Sequence, residues 1–168
     1  MAYKVRCVVT GEYGTSDTFV KHENKYFKNE YVYQEYKKQT EFWKKIINKF
    51  ALDYLNYSEE QPFPTYLPKR VKELDFYDNE TIYRTMLFCD EDIHTALYSK
   101  SFESDYVRVS YIMAVLKNNI NKIWKIVLQE RRDAKLAYQP IPSSCYASLA
   151  EIQNPKQKVK DISKFVED

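Results

Sequence analysis

One long apolar stripe constrains the fold of this chain more than any other feature of its sequence. Between Ser104 and Arg132, apolar side chains recur every three or four residues, which is the spacing of one face of an α-helix. These side chains are Val109, Ile112, Met113, Leu116, Ile120, Ile123, Trp124, Val127 and Leu128. Because so wide a stripe is not covered by a lone surface helix, other helices must pack on it. The stretch therefore predicts a helical core, with Ser104 or Asp105 as the N-cap.

Two further helices are predicted upstream. Asn29 is a good N-cap for a helix that ends near Asn56. Asp78 or Asn79 caps a third helix, whose stripe consists of Ile82, Met86, Cys89, Ile93 and Leu97. Three prolines between residues 62 and 68 exclude regular structure there and predict an ordered connector, with a short helix at residues 69–74.

Residues 1–28 favour β-structure. Tyr3–Val9 alternates as a strand does, and both glycines of the chain follow it at Gly11 and Gly14, where a turn is expected. Two more strands are predicted at residues 18–21 and around residues 26–27, with a turn between them.

The predicted fold class is therefore α+β and mostly α, in a single domain of residues 1–168. A small N-terminal antiparallel β-hairpin or meander (1–28) precedes a three-helix core (29–137) and an irregular C-terminal segment (138–168). Proline and paired serines break the pattern in that last segment. The apolar surface of the long helices would permit a homodimer.

The sequence also indicates the cellular compartment of the protein. The N-terminus carries no apolar signal segment, and no apolar run approaches the ~18 residues that span a membrane. The three cysteines are an odd number, lie far apart and lack CxxC spacing, which argues against a disulfide framework and a structural zinc site. We expect a soluble protein of the reducing cytoplasm, without a membrane partner.

Charge is unevenly distributed along the chain, although the net charge is only +2. Residues 1–50 hold ten Lys/Arg against six Asp/Glu (+4), residues 51–105 five against twelve (−7), and residues 106–168 eleven against six (+5). The acidic third predicts a face that meets a basic partner. Its candidate residues are Glu73, Asp75, Asp78, Glu80, Asp90, Glu91 and Asp92. Alternatively, these acids simply cap helices and lie on a helix face that is exposed to solvent.

Catalytic signatures are missing from the sequence. It contains no GxxxxGK[ST] loop, no GxSxG elbow, no HExxH and no Rossmann glycine pattern. Neighbouring positions on a helix point apart, so Asp90–Asp92 does not converge on a metal ion. His94 lacks a nucleophilic partner and is interpreted as structural. We expect no enzyme, no cofactor and no metal.

The first long helix offers an alternative, because lysines alternate there with Tyr36, Phe42 and Trp43. The lysines are Lys37, Lys38, Lys44, Lys45 and Lys49. Such a basic aromatic helix at residues 30–56 is typical of proteins that contact phosphates, which makes a DNA-binding or replication accessory protein the second hypothesis. The acidic third and the near-neutral total argue against direct binding of nucleic acid.

A short peptide in the same helix has a possible binding role. Gln39, Phe42 and Trp43 resemble a degenerate sliding-clamp-binding peptide, in which a glutamine precedes two large apolar side chains that enter a groove of the clamp. The alternative is that Phe42 and Trp43 face the core.

The whole chain resembles the small Tyr/Lys/Asn-rich accessory proteins of phages that infect low-GC Gram-positive bacteria. Stretches such as QPFPTYLPKRVKELDFYDNE and SYIMAVLKNNINKIWK carry this likeness, and the chain is similar to sliding-clamp inhibitors of staphylococcal phages. The resemblance implies a host-takeover protein that binds the β clamp of DNA polymerase III and blocks its use by DNA. Since a clamp lines its channel with Lys and Arg, an acidic face could occupy that channel.

Overall fold

Four short strands precede a helical body in the computed structural model, which describes residues 2–137. The strands are β1 (Lys4–Arg6), β2 (Tyr13–Thr15), β3 (Val20–His22) and β4 (Lys25–Phe27). The helical body comprises α1 (Glu30–Asn48), a π-helix (Lys49–Tyr54), α2 (Leu67–Val71), a 3-10 turn (Lys72–Leu74), α3 (Asn79–Phe88), α4 (Asp90–Ser99) and α5 (Asp105–Ala137). The predicted class, α+β and mostly α, is confirmed.

The β-structure consists of two separate antiparallel hairpins. In the first, β1 pairs with β2 so that Val5 lies opposite Gly14, and in the second β3 pairs with β4. A single bridge between Cys7 and Tyr26 connects the hairpins, supported by the hydrogen bond that Val8 N donates to Tyr26 O (3.1 Å). The three predicted strands are present with shifted ends.

Strand β2 was not predicted, because Gly11 before it and Gly14 within it indicate a turn. Gly11 does occupy a turn, with φ +72°, where a side chain would be strained. Gly14 has a different role: a Cβ there would overlap the ring of Phe19, which lies directly on the strand. The second glycine therefore permits a close approach within a strand, which sequence alone does not separate from a turn.

Helix α1 begins as predicted, with Asn29 Oδ1 accepting a hydrogen bond from Val32 N (3.0 Å). At Lys49 the helix widens into a π-helix instead of ending or continuing unchanged. Leu55 N and Tyr57 N then close the helix on the carbonyls of Phe50 and Ala51. Asn56, with φ +58°, ends it, and asparagine is one of the residues that tolerate this conformation. The predicted end near Asn56 agrees with this end.

The predicted third helix is two helices, so the core is not a bundle of three. The chain turns at Cys89 (φ −94°, ψ 5°), where α3 ends and α4 begins. The predicted stripe is correct: its residues from Ile82 to Ile93 are buried, and Leu97 packs against the core. The change of direction is stabilised by Asp90, whose carboxylate is bound by Lys49 and Tyr54 of the π-helix. Periodicity predicts which face is buried, but it does not reveal a bend between two buried residues.

Helix α5 supplies the largest share of the core from one element. Seven of its side chains are buried: Val109, Ile112, Met113, Leu116, Ile120, Ile123 and Val127. The first five of them, Val109 to Ile120, belong to one cluster with Phe50 and Tyr54 of the π-helix and Met86 of α3. Ser104 Oγ caps the helix by accepting from Val107 N (3.4 Å). The predicted stripe and cap are both present.

A ladder of polar and aromatic contacts joins residues 66–77 to one flank of α5. Tyr66, Arg70, Glu73 and Tyr77 contact successively later residues of α5, so the two segments run in the same direction. Its contacts are Tyr66 with Tyr106, Arg70 with Ser110, Glu73 with Lys117, Tyr77 with Asn121, and Phe76 with Trp124. The connector is therefore ordered, as its aromatic residues predicted.

The described chain forms one compact unit through Gln129, and a second unit begins at Glu130, of which only the end of α5 is described. The predicted irregular segment 138–168 lies outside the described residues. The single-domain interpretation of residues 1–168 stays a prediction.

Candidate functional site

Glu73 and Asp75, the first two predicted acids, differ in environment. The carboxylate of Glu73 is bound by Arg70 and by Lys117 Nζ (2.7 Å), and the hydrogen bond from Lys117 lowers the pKa of Glu73. Asp75 is exposed, and its side chain has no polar partner among residues 2–137. Only Asp75 of the two is free to meet another molecule without breaking an existing ion pair.

Asp78 and Glu80 belong to the start of α3. Asp78 Oδ1 accepts from Thr81 N (2.9 Å), which makes it the N-cap that the sequence predicted. Glu80 binds Lys38 Nζ of α1 (2.8 Å) and lies 3.6 Å from Arg84 Nε, and its side chain is only 13% exposed. Both acids therefore hold α3 in place.

Asp90 is the centre of a polar network between α4 and the π-helix. Its Oδ1 lies 2.7 Å from Lys49 Nζ and accepts a hydrogen bond from the Tyr54 hydroxyl (2.8 Å). Burial raises the pKa of Asp90, but the hydrogen bonds from Lys49 and Tyr54 outweigh it and leave this pKa below its usual value. The same burial, with the bond to Asp90, raises the pKa of Tyr54 far above its usual range. His94 Nε2 lies 3.7 Å from Asp90 and belongs to this network, in line with a structural role.

Glu91 and Asp92 are exposed in the first turn of α4, and their side chains have no polar partner among the described residues. They are surrounded in sequence by exposed apolar side chains: Leu87 and Phe88 are each 50% exposed, and Tyr98 is 90% exposed. Glu91 and Tyr98, seven positions apart, share one face of α4. We call these five residues the acidic-apolar surface. Sequence reasoning found its two acids but missed its three apolar members.

Two of the three clamp-peptide-like residues contact α3, and the third packs against the core. Gln39 Oε1 accepts from Asn79 N (2.8 Å), and Gln39 O accepts from Asn79 Nδ2 (2.9 Å). The ring of Phe42 contacts Tyr83 (centroids 5.8 Å apart), while Trp43 packs against the core. In this conformation the three side chains bind within the protein, and their entry into a clamp groove would require α1 to separate from α3.

Some lysines of α1 and the π-helix form ion pairs within the protein, and others have no polar partner in the described chain. Lys38 is paired with Glu80, and Lys49, whose side chain is 11% exposed, is paired with Asp53 and Asp90. Lys45 Nζ lies over the Phe42 ring (5.3 Å to its centroid). Lys37 and Lys44 have no polar partner among residues 2–137, so the basic face of the helix is narrower than its sequence predicts.

Those two lysines border a cavity of about 330 Å³ between α1 and the second hairpin. Its walls include Phe27, Tyr33 and Tyr36. We call this cavity the aromatic pocket. It was not predicted, because hairpin residues complete it from outside the helix.

Among residues 2–137 no three His, Cys, Asp or Glu side chains are grouped so that they could hold a metal ion. No helix in that part of the chain is long and apolar enough to cross a membrane.

Fold and surfaces together define a small α+β protein with two candidate sites, one acidic and apolar, the other basic and aromatic. Comparison with protein-family models, with curated proteins and with solved structures finds no match.

Proposed function

We propose that this protein is a phage-encoded inhibitor of the host DNA polymerase III sliding clamp. It binds the clamp ring, blocks its use by DNA and so shuts down host DNA replication. The proposal rests on the resemblance to staphylococcal phage clamp inhibitors, that of phage Twort in particular. The structural observation that supports it is the acidic-apolar surface.

The chemistry of this surface suits a basic channel. Glu91 and Asp92 form no ion pair within the described chain, and a row of clamp Lys and Arg would pair with them. One cation of this chain, Lys122, lies close by, over the Phe88 ring (4.5 Å to its centroid). Exposed Phe88, one turn before Asp92, and exposed Tyr98, two turns after Glu91, offer the large side chains that dominate binding energy at protein interfaces. Asp75, next to the 76% exposed ring of Phe76, repeats the same combination.

Four members of the predicted acidic face are less suited to this role. Glu73, Glu80 and Asp90 already bind lysines of this chain, so the clamp would have to replace those ion pairs, and Asp78 caps α3. The proposed docking residues are therefore Asp75, Glu91 and Asp92, with the exposed aromatic side chains beside them.

The decisive experiment is co-elution of the protein with purified β clamp of a low-GC Gram-positive host, followed by clamp-dependent DNA synthesis. We expect a complex at low salt and a loss of clamp-stimulated synthesis. Glu91→Lys with Asp92→Lys should weaken the complex about tenfold or more, because both new charges face a basic channel.

The matched control is Glu35→Lys with Glu41→Lys, which changes the charge equally on exposed positions of α1. Absence of binding by the unaltered protein at low salt would refute the proposal. Equal weakening by both double variants would show that net charge, and not the acidic-apolar surface, controls binding.

The DNA-binding alternative keeps one supporting observation, the two unpartnered lysines beside the aromatic pocket. A gel-shift with duplex and single-stranded DNA, without clamp, separates the two hypotheses. A shift lost in Lys37→Ala/Lys44→Ala but kept in Lys72→Ala/Lys125→Ala would favour the alternative.

A further inference from the structure

The aromatic pocket has a wall of rings that two elements build together. Tyr33 and Tyr36 occupy successive turns of α1, and Phe27 of β4 packs against both, with centroids 5.2 and 5.3 Å away. His22 of β3 stacks on Tyr33 at 3.5 Å with nearly parallel planes, and Glu30 binds His22 Nε2 (2.9 Å). The wall is therefore fixed before any ligand arrives.

Cationic groups stand around this wall. Lys25 Nζ donates to the Tyr36 hydroxyl (2.7 Å), and this hydrogen bond lowers the pKa of Tyr36. Lys37 and Lys44, two turns apart on α1, border the pocket without partners in the described chain. Glu23 and Glu41 also line it, so three ammonium groups face two carboxylates, beside the His22 ring.

We propose that the aromatic pocket binds one nucleotide unit, with its phosphate at Lys37 and Lys44. Its base lies against the part of the Tyr33–Tyr36 wall that His22, stacked on Tyr33, and Lys25, 5.0 Å from the Tyr36 centroid, leave uncovered. Aromatic side chains stack on any base, and a cationic border binds the phosphate beside it. The volume of about 330 Å³ falls at the lower end of the ~300–1,000 Å³ range of small-molecule sites. A single nucleotide unit matches that size.

The charge balance restricts the ligand further. A lone inorganic anion would leave the aromatic wall unused, and a nucleoside would leave the lysines unused. Three ammonium groups and two carboxylates give the lining a net charge of +1, which disfavours a triphosphate more strongly than a single phosphate group. A nucleoside monophosphate or one unit of a single strand shares the required chemistry, and this site is separate from the acidic-apolar surface.

Calorimetric titration of the protein with AMP, adenosine and inorganic phosphate tests the chemistry, and anisotropy of a labelled ten-residue oligo-dT tests the strand. We expect one of two results. Either AMP binds more tightly than adenosine or phosphate, or AMP does not bind and oligo-dT does. The first result identifies a mononucleotide site, and the second a single-strand site. Binding of phosphate or adenosine as tightly as AMP, or of no probe at all, would overturn the proposal.

Lys37→Ala/Lys44→Ala should weaken binding of the successful probe about tenfold or more, because the phosphate loses both contacts. Lys72→Ala/Lys125→Ala, at two exposed lysines elsewhere, is the charge-matched control and should bind as the unaltered protein does. Equal losses in the two variants would refute a local site.

A measurement on the unaltered protein tests the site without relying on the folding of a variant. Titration with the successful probe should shift the amide NMR signals of Tyr36 and Thr40, which line the pocket, and leave those of Leu87 and Tyr98 in place. Shifts confined to other regions would also refute the site.

Discussion

Asp90 joins α4 to the π-helix through two hydrogen bonds, one from an ammonium group and one from a phenol. Lys49, which donates the first, is almost buried, so the loss of its partner leaves a desolvated charge. Asp53 remains beside Lys49 at 3.1 Å and retains part of the compensation. At the residue scale, Asp90 is the carboxylate that both Lys49 and Tyr54 bind, and Asp53 supports Lys49 beside it.

We therefore predict that Asp90→Asn lowers the free energy of unfolding by about 1–3 kcal/mol. The estimate lies below the full cost of breaking a buried pair, because Asp90 is partly exposed and Asp53 stays in place. Urea unfolding followed by circular dichroism measures the change. Glu91→Gln, at the next position and without a partner, should change stability by less than about 0.5 kcal/mol.

The same substitution predicts a pH dependence. The pKa of Asp90 is lower in the folded than in the unfolded chain, so its contribution is present above the unfolded value of 3.8 and is lost as pH falls through the folded value. The difference in stability between the unaltered protein and Asp90→Asn should accordingly shrink below about pH 4. A difference that stays constant down to pH 2 would contradict this assignment.

At the scale of elements, α1 and α3 are joined by the hydrogen bonds between Gln39 and Asn79 and by the ion pair of Lys38 with Glu80. Gln39 is also a member of the clamp-peptide-like motif. The two roles of this side chain predict different results on substitution, so one variant separates them.

We predict that Gln39→Ala lowers the free energy of unfolding by about 1–2 kcal/mol, because the partly buried start of α3 loses the acceptor for Asn79 N. Clamp binding by the folded variant should be unchanged. Thermal unfolding and clamp co-elution of the same preparation measure both. Loss of clamp binding with full stability would instead show that the glutamine enters the clamp groove; Glu35→Ala, exposed on the same helix, is the control.

For the whole molecule, the division of charge along the chain predicts how the proposed complex responds to salt. Exposed Asp75, Glu91 and Asp92 would meet clamp cations near solvent, where ions screen the attraction. The dissociation constant should therefore rise about tenfold between 50 and 200 mM salt, as measured by surface plasmon resonance. A constant value across this range would indicate that the exposed apolar side chains alone determine affinity.

Much of the fold was predictable from local patterns. The stripe of α5, the caps Asn29, Asp78 and Ser104, and the ordered connector depend on contacts within a few residues, which spacing records. The bend at Cys89 and the π-helix at Lys49–Tyr54 were not predictable, because apolar periodicity is the same on both sides of each. Gly14 misled the prediction of β2, since only Phe19 shows why a glycine is needed there.

The candidate sites, too, were predictable only in part. The sequence by itself determined the −7 charge of residues 51–105 and the basic aromatic character of α1. Only the tertiary structure decided which of these charges reach solvent, because Lys117, Lys38 and Lys49 come from distant parts of the chain to neutralise Glu73, Glu80 and Asp90. The aromatic pocket likewise exists only where β3 and β4 pack on α1. Residue types are local, whereas ion pairs and cavities depend on which distant segments meet.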